Sequence, residues 1–172
     1  RIYSARAICS SYLPEWRPGV DYRKLYSASK ESGGVKIDLI HEFDYLFSLF
    51  GMPQQDQLIE SKVSHLEIES SDVVSYVACY SDKTLELHLD YFGQVPQRYV
   101  ELYTGVDVVR FDYLKSNVQY LKSGRVVELG EEAIVRHIEI PQYEAVLIYT
   151  VDEDSSVMLP EIYDILVHLP EC

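Results

Sequence analysis

Cysteine is scarce in this sequence, and no long hydrophobic run is present. The 172 residues contain three cysteines, Cys9, Cys79 and Cys172, which are far apart and odd in number. This usage favours reduced thiols over a disulfide framework and is typical of a cytoplasmic protein. No run approaches the roughly 20 apolar residues needed to cross a bilayer, and residues 1–20 lack a signal-peptide pattern. We therefore expect a cytoplasmic protein without a membrane partner.

Basic residues are also few. Fifteen Lys and Arg stand against 28 Asp and Glu, which gives a net charge of −13. Such a charge repels a phosphate backbone, so nucleic acid is not an expected partner. Apart from His41, no histidine has a ligand-like spacing with another or with cysteine, which predicts no metal site. These histidines are His65, His88, His137 and His168.

A glycine-rich dinucleotide fingerprint is missing as well. No Gly-x-Gly-x-x-Gly follows a strand, and the Gly33-Gly34 pair lacks the third glycine and a ribose-binding acid at the expected distance. We expect no cofactor site in this chain. Its length and its apolar fraction of 47% fit one domain over residues 1–172. The first residue is Arg rather than Met, and a strand-like run begins at once, which we interpret as a start inside a longer chain.

The strongest helical pattern covers about Val35 to Phe50. Apolar side chains recur there at steps of three and four, and Gly51 with Pro53 gives a stop signal. A short helix or turn with Asp21 as its cap is expected over residues 21–30. The periodic residues of the main helix are Leu39, Ile40, Phe43, Leu46, Phe47 and Phe50.

Short segments rich in Val, Tyr, Leu and Ile follow from about Leu58 to Val127 and predict strands. The clearest is Thr84 to Tyr91, where leucines alternate with polar residues. Beyond it we expect a strand over 145–151, an acidic turn at 152–154 and a short helix over 160–169. The fold class is therefore α+β, with an open, mainly antiparallel sheet and helices packed on one face.

Asp38 and His41 are the candidate catalytic pair. Three positions apart on a helix, the two side chains point from nearly the same side. A carboxylate beside an imidazole can orient the ring and stabilise the imidazolium, so His41 could serve as a general base. The alternative is a solvated or core-edge histidine, which the residues alone do not exclude.

A loop rich in aromatic and basic residues precedes this helix. Its members could hydrogen-bond sugar hydroxyls or bind an anionic group of a substrate, or they could only hold the loop in place. Tyr12 and Trp16 could stack on a sugar ring or anchor the loop. His88 and Asp90, on the polar face of their strand, could line a pocket or simply be solvated. The candidate substrate-binding residues are Arg17, Tyr22, Arg23, Tyr26 and Lys30.

The helix motif resembles a known family. Ser32-Gly33-Gly34-Val35, then Asp38-Leu39-Ile40-His41-Glu42-Phe43-Asp44, and the closing Leu49-Phe50-Gly51 are similar to the substrate-domain helix of the Gfo/Idh/MocA oxidoreductases. These enzymes are named after glucose–fructose oxidoreductase and inositol dehydrogenase. Further segments at Glu69–Val74 and Arg98–Gly105 resemble the family's sheet, and residues 12–30 resemble its nucleotide-sugar branch. The resemblance covers about residues 1–128.

The resemblance implies a C-terminal α+β domain whose N-terminal Rossmann partner, absent from this chain, binds NAD or NADP. It implies that His41 exchanges a proton with a sugar or nucleotide-sugar hydroxyl, that Asp38 assists it, and that the open sheet supports a homo-oligomer. A lysine from the nucleotide domain would complete the site. The family usually places four steps between the acid and the histidine, whereas here there are three. A non-catalytic carbohydrate-binding or dimerisation module of the same fold is the alternative function.

Overall fold

The computed structural model describes residues 1–128 and the backbone of residues 136–140 and 143–147. Its main body is one eight-stranded sheet in the order β2-β3-β4-β1-β5-β6-β7-β8. A separate antiparallel pair is formed by β9 and β10. The strands are Ile2–Tyr12 (β1), Gln55–Ser61 (β2), Val73–Cys79 (β3), Thr84–Asp90 (β4), Phe92–Thr104 (β5), Val108–Asp112 (β6), Asn117–Tyr120 (β7), Arg125–Glu128 (β8), Arg136–Ile140 (β9) and Tyr143–Leu147 (β10).

The expected α+β class with a mainly antiparallel sheet is confirmed. Only one of the described strand pairs, β1 with β4, is parallel, and β1 is antiparallel to its other neighbour, β5. The alternation in β4 is as expected up to Leu89, because Leu85, Leu87 and Leu89 are buried while Thr84 and Glu86 are exposed. It is wrong for Asp90, which is buried and accepts the N–H of Phe92. Of the strand expected over 145–151, residues 145–147 belong to β10. Residues 148–151, the turn at 152–154 and the helix over 160–169 lie outside the described residues.

The main helix differs from its prediction in one respect. It is divided into α1, Val35–Asp38, and α2, Ile40–Phe50, by Leu39 with φ −108° and ψ 26°. Its end is as expected, since Gly51 has φ +73°, a conformation that favours glycine, and donates its N–H to the carbonyl of Phe47. Asp38 and His41 therefore lie on opposite sides of a break in the helix.

The helices pack on one face of the sheet, and together they enclose the core. The Phe43 ring meets the Tyr76 ring of β3 edge to face at 5.1 Å, while Tyr45 lies 5.8 Å from Tyr113, just after β6. The residues of the core cluster come from α1, α2 and the inward side of the strands, including Ala5, Ala7, Val35, Leu39, Leu46, Leu87 and Val100. The periodicity is confirmed for Leu39, Phe43 and Leu46, which are buried. It is wrong for Ile40, which is 53% exposed, because the break at Leu39 interrupts the helix and Ile40 begins α2.

Candidate active site

The loop before α1 is held by very close backbone packing. A Cβ atom on Gly33 would lie 2.2 Å from the carbonyl oxygen of Tyr26 and 2.5 Å from that of Ser27. Gly34 has φ +112°, and its N–H bonds to the Ser27 carbonyl at 3.2 Å. Both glycines are therefore required by the packing of this chain on itself. This explains the Gly33-Gly34 pair without a phosphate, in agreement with the absence of a dinucleotide fingerprint in the sequence.

Asp38 is the last residue of α1, and its carboxylate accepts a hydrogen bond from Tyr91. The buried Tyr91 hydroxyl donates to Asp38 Oδ2 at 2.5 Å, and the Asp38 Oδ1 atom is buried with no hydrogen-bond partner among the described residues. Burial and the hydrogen bond to Asp38 raise the pKa of Tyr91 well above its usual value. Hydrogen bonding to Asp38 also raises the pKa of Tyr26. The Asp38 carboxylate is thus held by the Tyr91 hydroxyl, has Tyr26 nearby, and keeps one buried oxygen without a hydrogen-bond partner among the described residues.

His41 lies in the first turn of α2 with its side chain 46% exposed. Its Nε2 atom is 3.3 Å from Oε1 of Glu42, the next residue. The imidazole is therefore partly open to solvent on one side and faces a carboxylate on the other. A protonated ring would gain an ion pair at this distance.

Glu42 is a site residue that the sequence analysis missed. Its side chain is fully buried, and Nη2 of Arg98 on β5 lies 2.8 Å from its Oε1 atom. Burial opposes the charge on Arg98, but Glu42 raises its pKa overall. The Arg98 guanidinium also lies over the Tyr113 ring, 4.9 Å from its centre. A signal was available, because position 42 follows Leu39 by three and precedes Leu46 by four, which places it on the apolar helix face.

Glu42 has polar neighbours, Cys9 and Tyr45, that are buried with it. Burial, followed by Glu42, raises the pKa of the Cys9 thiol to about 12, and burial also raises the pKa of Tyr45. Neither carboxylate oxygen of Glu42 accepts a well-formed hydrogen bond from the described residues. Two groups lie within ion-pair distance of its Oε1 atom, namely Arg98 at 2.8 Å and the His41 ring at 3.3 Å.

The predicted substrate-binding residues separate into two groups. Arg23 forms ion pairs with Asp21 at 2.8 Å and Glu67 at 2.9 Å, and the Tyr22 hydroxyl accepts the N–H of Glu67. These two side chains hold the loop in place. The expected cap at Asp21 is confirmed, since its Oδ1 accepts the Arg23 N–H.

The other candidates lie toward Asp38 or at the surface. Tyr26 is 53% exposed beside Asp38, and Arg17 is close enough to influence its pKa. Lys30 is exposed. Trp16 meets the Tyr91 ring edge to face at 5.3 Å, which fits its predicted alternative role as a loop anchor. Arg17, Tyr26 and Asp38 thus form the polar surface at the entrance to the helix.

Tyr12 and His88 take part in other contacts. The Tyr12 hydroxyl lies 3.4 Å from Nε2 of His65, which supports the anchoring alternative for this aromatic residue. His88 Nε2 lies 3.0 Å from Oδ2 of the buried Asp90, and His88 alternates with the inward leucines of β4. It therefore projects from the sheet face opposite the helices, away from the face that carries α2.

Other sites are not evident in the described part of the chain. Within residues 1–128 and the two short strands beyond, no three His, Cys, Asp or Glu side chains converge as metal ligands. None of the helices that the structure describes is long and apolar enough to span a membrane. Cys9 and Cys79 are free thiols, one buried and one exposed, and Cys172 lies outside the described residues.

Comparison with solved structures relates the fold of this chain to that of several dehydrogenases. No model of a known protein family and no curated protein matches the sequence. Among solved structures, UDP-N-acetylglucosamine 3-dehydrogenase from Acidithiobacillus ferrooxidans is similar with a TM-score of 0.55 and 14% identity, covering 76% of this chain and 40% of its own. D-Galactose-1-dehydrogenase from Rhizobium etli is similar with a TM-score of 0.56 and 12% identity, covering 74% and 40%.

A third similar structure is the WlbA dehydrogenase from Bordetella pertussis, described as a complex with NADH and UDP-GlcNAcA. It has a TM-score of 0.51 and 16% identity, covering 64% of this chain and 34% of its own. The chain thus spans less than half the length of the structures it matches. At these identities the likeness concerns the fold. The predicted resemblance is confirmed at that level: this chain has the fold of the C-terminal domain of Gfo/Idh/MocA-type sugar oxidoreductases.

Proposed function

We propose that this chain is the substrate-binding part of an NAD(P)-dependent oxidoreductase that acts on a sugar or nucleotide-sugar hydroxyl. The observation that carries the proposal is the His41 imidazole, half exposed at the start of α2 and within ion-pair distance of a buried carboxylate. An imidazole in such a setting can take up and return a proton near neutral pH. The fold shared with sugar and nucleotide-sugar dehydrogenases supports the same function.

The chemistry assigned to this chain is a proton transfer. As the alcohol is oxidised, the hydroxyl proton passes to His41. The carbon bonded to that hydroxyl loses a hydride and becomes a carbonyl carbon. A nicotinamide cofactor, when bound, supplies the hydride acceptor. The Gly33-Gly34 pair is explained by backbone packing and gives no sign of a dinucleotide site. We assign the cofactor to a Rossmann domain outside this chain, as the family resemblance implies.

Substrate contacts are proposed at the entrance to the helix. The exposed Tyr26 presents its hydroxyl beside Asp38, whose own oxygen without a partner in the described structure is buried. Such groups bind sugar hydroxyls by hydrogen bonds, and Arg17 adds a positive charge suited to a carboxylate or phosphate of the substrate. Tyr22 and Arg23 support this surface by fixing the loop, and Lys30 lies exposed on the same loop.

The proposal is tested with the full-length protein that contains this chain. Nicotinamide absorbance is followed against a panel of sugars and nucleotide sugars with NAD and with NADP, and the 172-residue chain serves as the inactive control. We expect turnover of at least one panel member by the full-length protein and none by the chain alone. Turnover by the chain alone, or no binding of any sugar by the full-length protein, would contradict the proposal.

The open sheet face supports a second role, subunit contact in a homo-oligomer. This face carries Val77 of β3, which is 49% exposed, beside ion pairs such as Arg6 with Glu86 at 2.8 Å. A sheet face with mixed apolar and charged groups can pair with a second copy. Light scattering of the unaltered chain is expected to give a dimer that Val77→Glu converts to a monomer. A monomer in both proteins would leave this role unsupported.

A further inference from the structure

The resemblance assigns the assisting carboxylate of His41 to Asp38, but the structure places another acid beside the ring. Oε1 of Glu42 lies 3.3 Å from Nε2 of His41. Asp38 is instead engaged by the Tyr91 hydroxyl, on the other side of the helix break at Leu39. Asp38 and His41 are three steps apart here, whereas the family usually has four, and the carboxylate beside the His41 ring is that of Glu42. We propose that Glu42 is the positioning residue of His41.

The burial of Glu42 makes its effect on His41 strong. A carboxylate with no exposed surface interacts through a medium less polarisable than water, so its charge is felt more by a close neighbour than that of a surface acid. Nη2 of Arg98 lies 2.8 Å from the same Oε1 atom, so the buried carboxylate has a guanidinium beside it. The carboxylate thus lies beside Nε2 of His41, where a protonated ring would gain an ion pair.

Charges around the ring come from several elements. On the core side, Glu42 of α2 lies 3.3 Å from Nε2 of His41, and Arg98 of β5 lies 2.8 Å from Glu42. Cys9 of β1 remains a neutral thiol because burial raises its pKa to about 12. Asp38 of α1 lies across the break, and Asp44 is exposed on α2 itself. The two candidate carboxylates, Glu42 and Asp38, can therefore be separated by single substitutions.

This inference rests on the proposed function, since a positioning residue matters only if His41 carries the proton. Its test is independent of turnover. Diethyl pyrocarbonate acylates neutral imidazole, and mass spectrometry of the 172-residue chain at pH 6 gives a separate rate for each histidine. Glu42→Gln is expected to speed acylation of His41 by roughly threefold to tenfold, the effect of one lost charge at this distance in a half-exposed site. Asp38→Asn is the matched control and should leave that rate unchanged.

Glu42→Gln also leaves Arg98 buried without its partner, which can unfold the chain. The double variant Glu42→Gln with Arg98→Met removes both charges together and should show a smaller increase in the same direction. His65 serves as the internal reference, because its rate depends on neither substitution. An unchanged His41 rate in the folded variants, or an equal increase in Asp38→Asn, would overturn the inference. Loss of the proposed function would appear differently, as unchanged turnover in a His41 variant.

Discussion

The hydroxyl of the buried Tyr91 donates a hydrogen bond to Asp38 at the end of α1 and so ties the first helical turn to the end of β4. Tyr91→Phe removes this donor and keeps the ring that packs on Trp16. We expect the free energy of unfolding to fall by about 2 kcal/mol, the usual worth of a hydrogen bond to a charged group. Urea unfolding of Tyr91→Phe and of the unaltered chain measures this difference in free energy.

Tyr103→Phe is the control for that substitution. Its hydroxyl also donates to a carboxylate, Glu101 Oε2 at 2.7 Å, but the tyrosine is only partly buried. A partly solvated hydrogen bond contributes less, so a smaller loss is expected. Equal losses in the two variants would show that the Tyr91 contact has no special role in fixing α1.

Asp72 makes stability depend on pH. Its buried carboxylate accepts the N–H groups of Val63 and Ser64 at 2.8 and 2.9 Å, and Lys62 lies at 3.1 Å. Burial opposes the charge, but these hydrogen bonds lower the pKa of Asp72 overall. A lowered pKa in the folded state gives stability that is present above the unfolded value of about 3.9 and is lost as pH falls through the folded value.

Asp72→Asn should therefore reduce the free energy of unfolding at pH 7 by about 2 kcal/mol. The gap between variant and unaltered protein should begin to narrow below about pH 4 and close as the pH falls through the lowered folded-state pKa of Asp72. Asp82→Asn is the control, because Asp82 is an exposed acid that forms a surface ion pair with the adjacent Lys83. A gap that is independent of pH would contradict the assigned role of the Asp72 charge.

Gly33 is expected to tolerate no side chain. Gly33→Ala brings a Cβ atom to 2.2 Å from the Tyr26 carbonyl oxygen, so the loop must move. A loss of about 2 kcal/mol or more in thermal unfolding is the expected result. Gly105→Ala is the control, since its Cβ would meet only the end of the Tyr3 side chain at 3.2 Å. Equal melting temperatures for the two variants would be inconsistent with the packing described.

The two described thiols should react at very different rates. Cys79 is exposed, whereas Cys9 is buried with a pKa raised to about 12, and the thiolate is the form that reacts. With a thiol reagent at pH 8 and peptide mapping, Cys79 should be labelled rapidly and Cys9 only after unfolding. Comparable labelling of Cys9 in the folded chain would show that the reagent reaches the buried region that contains Cys9 and Glu42.

Much of the fold could be predicted from local sequence patterns. The end of α2 at Gly51 and the buried leucines of β4 follow from periodicity and from the freedom of glycine. The break at Leu39 could not be predicted, because leucine favours helix and the interruption depends on tertiary packing. The parallel pairing of β1 with β4 joins segments far apart in sequence, and no local pattern specifies it.

The candidate site was predicted less completely. His41 was identified through its motif, but its carboxylate neighbour was assigned by spacing on a continuous helix. Glu42 was missed because glutamate is usually exposed, and its partner Arg98 comes from a distant strand. For Arg23, the sequence alone could not choose between substrate and loop, whereas the structure shows its contacts with Asp21 and Glu67.

The most direct measurement of the central claim is the turnover number of His41→Gln in the full-length protein, with His65→Gln as the matched control on another exposed histidine. Loss of a general base lowers kcat by about 10²–10⁴-fold, and because His41 is assigned to proton transfer, KM should change far less. The predicted result is therefore a fall in kcat of at least about 100-fold for position 41 alone. Equal turnover numbers for the two variants and the unaltered protein would contradict the account.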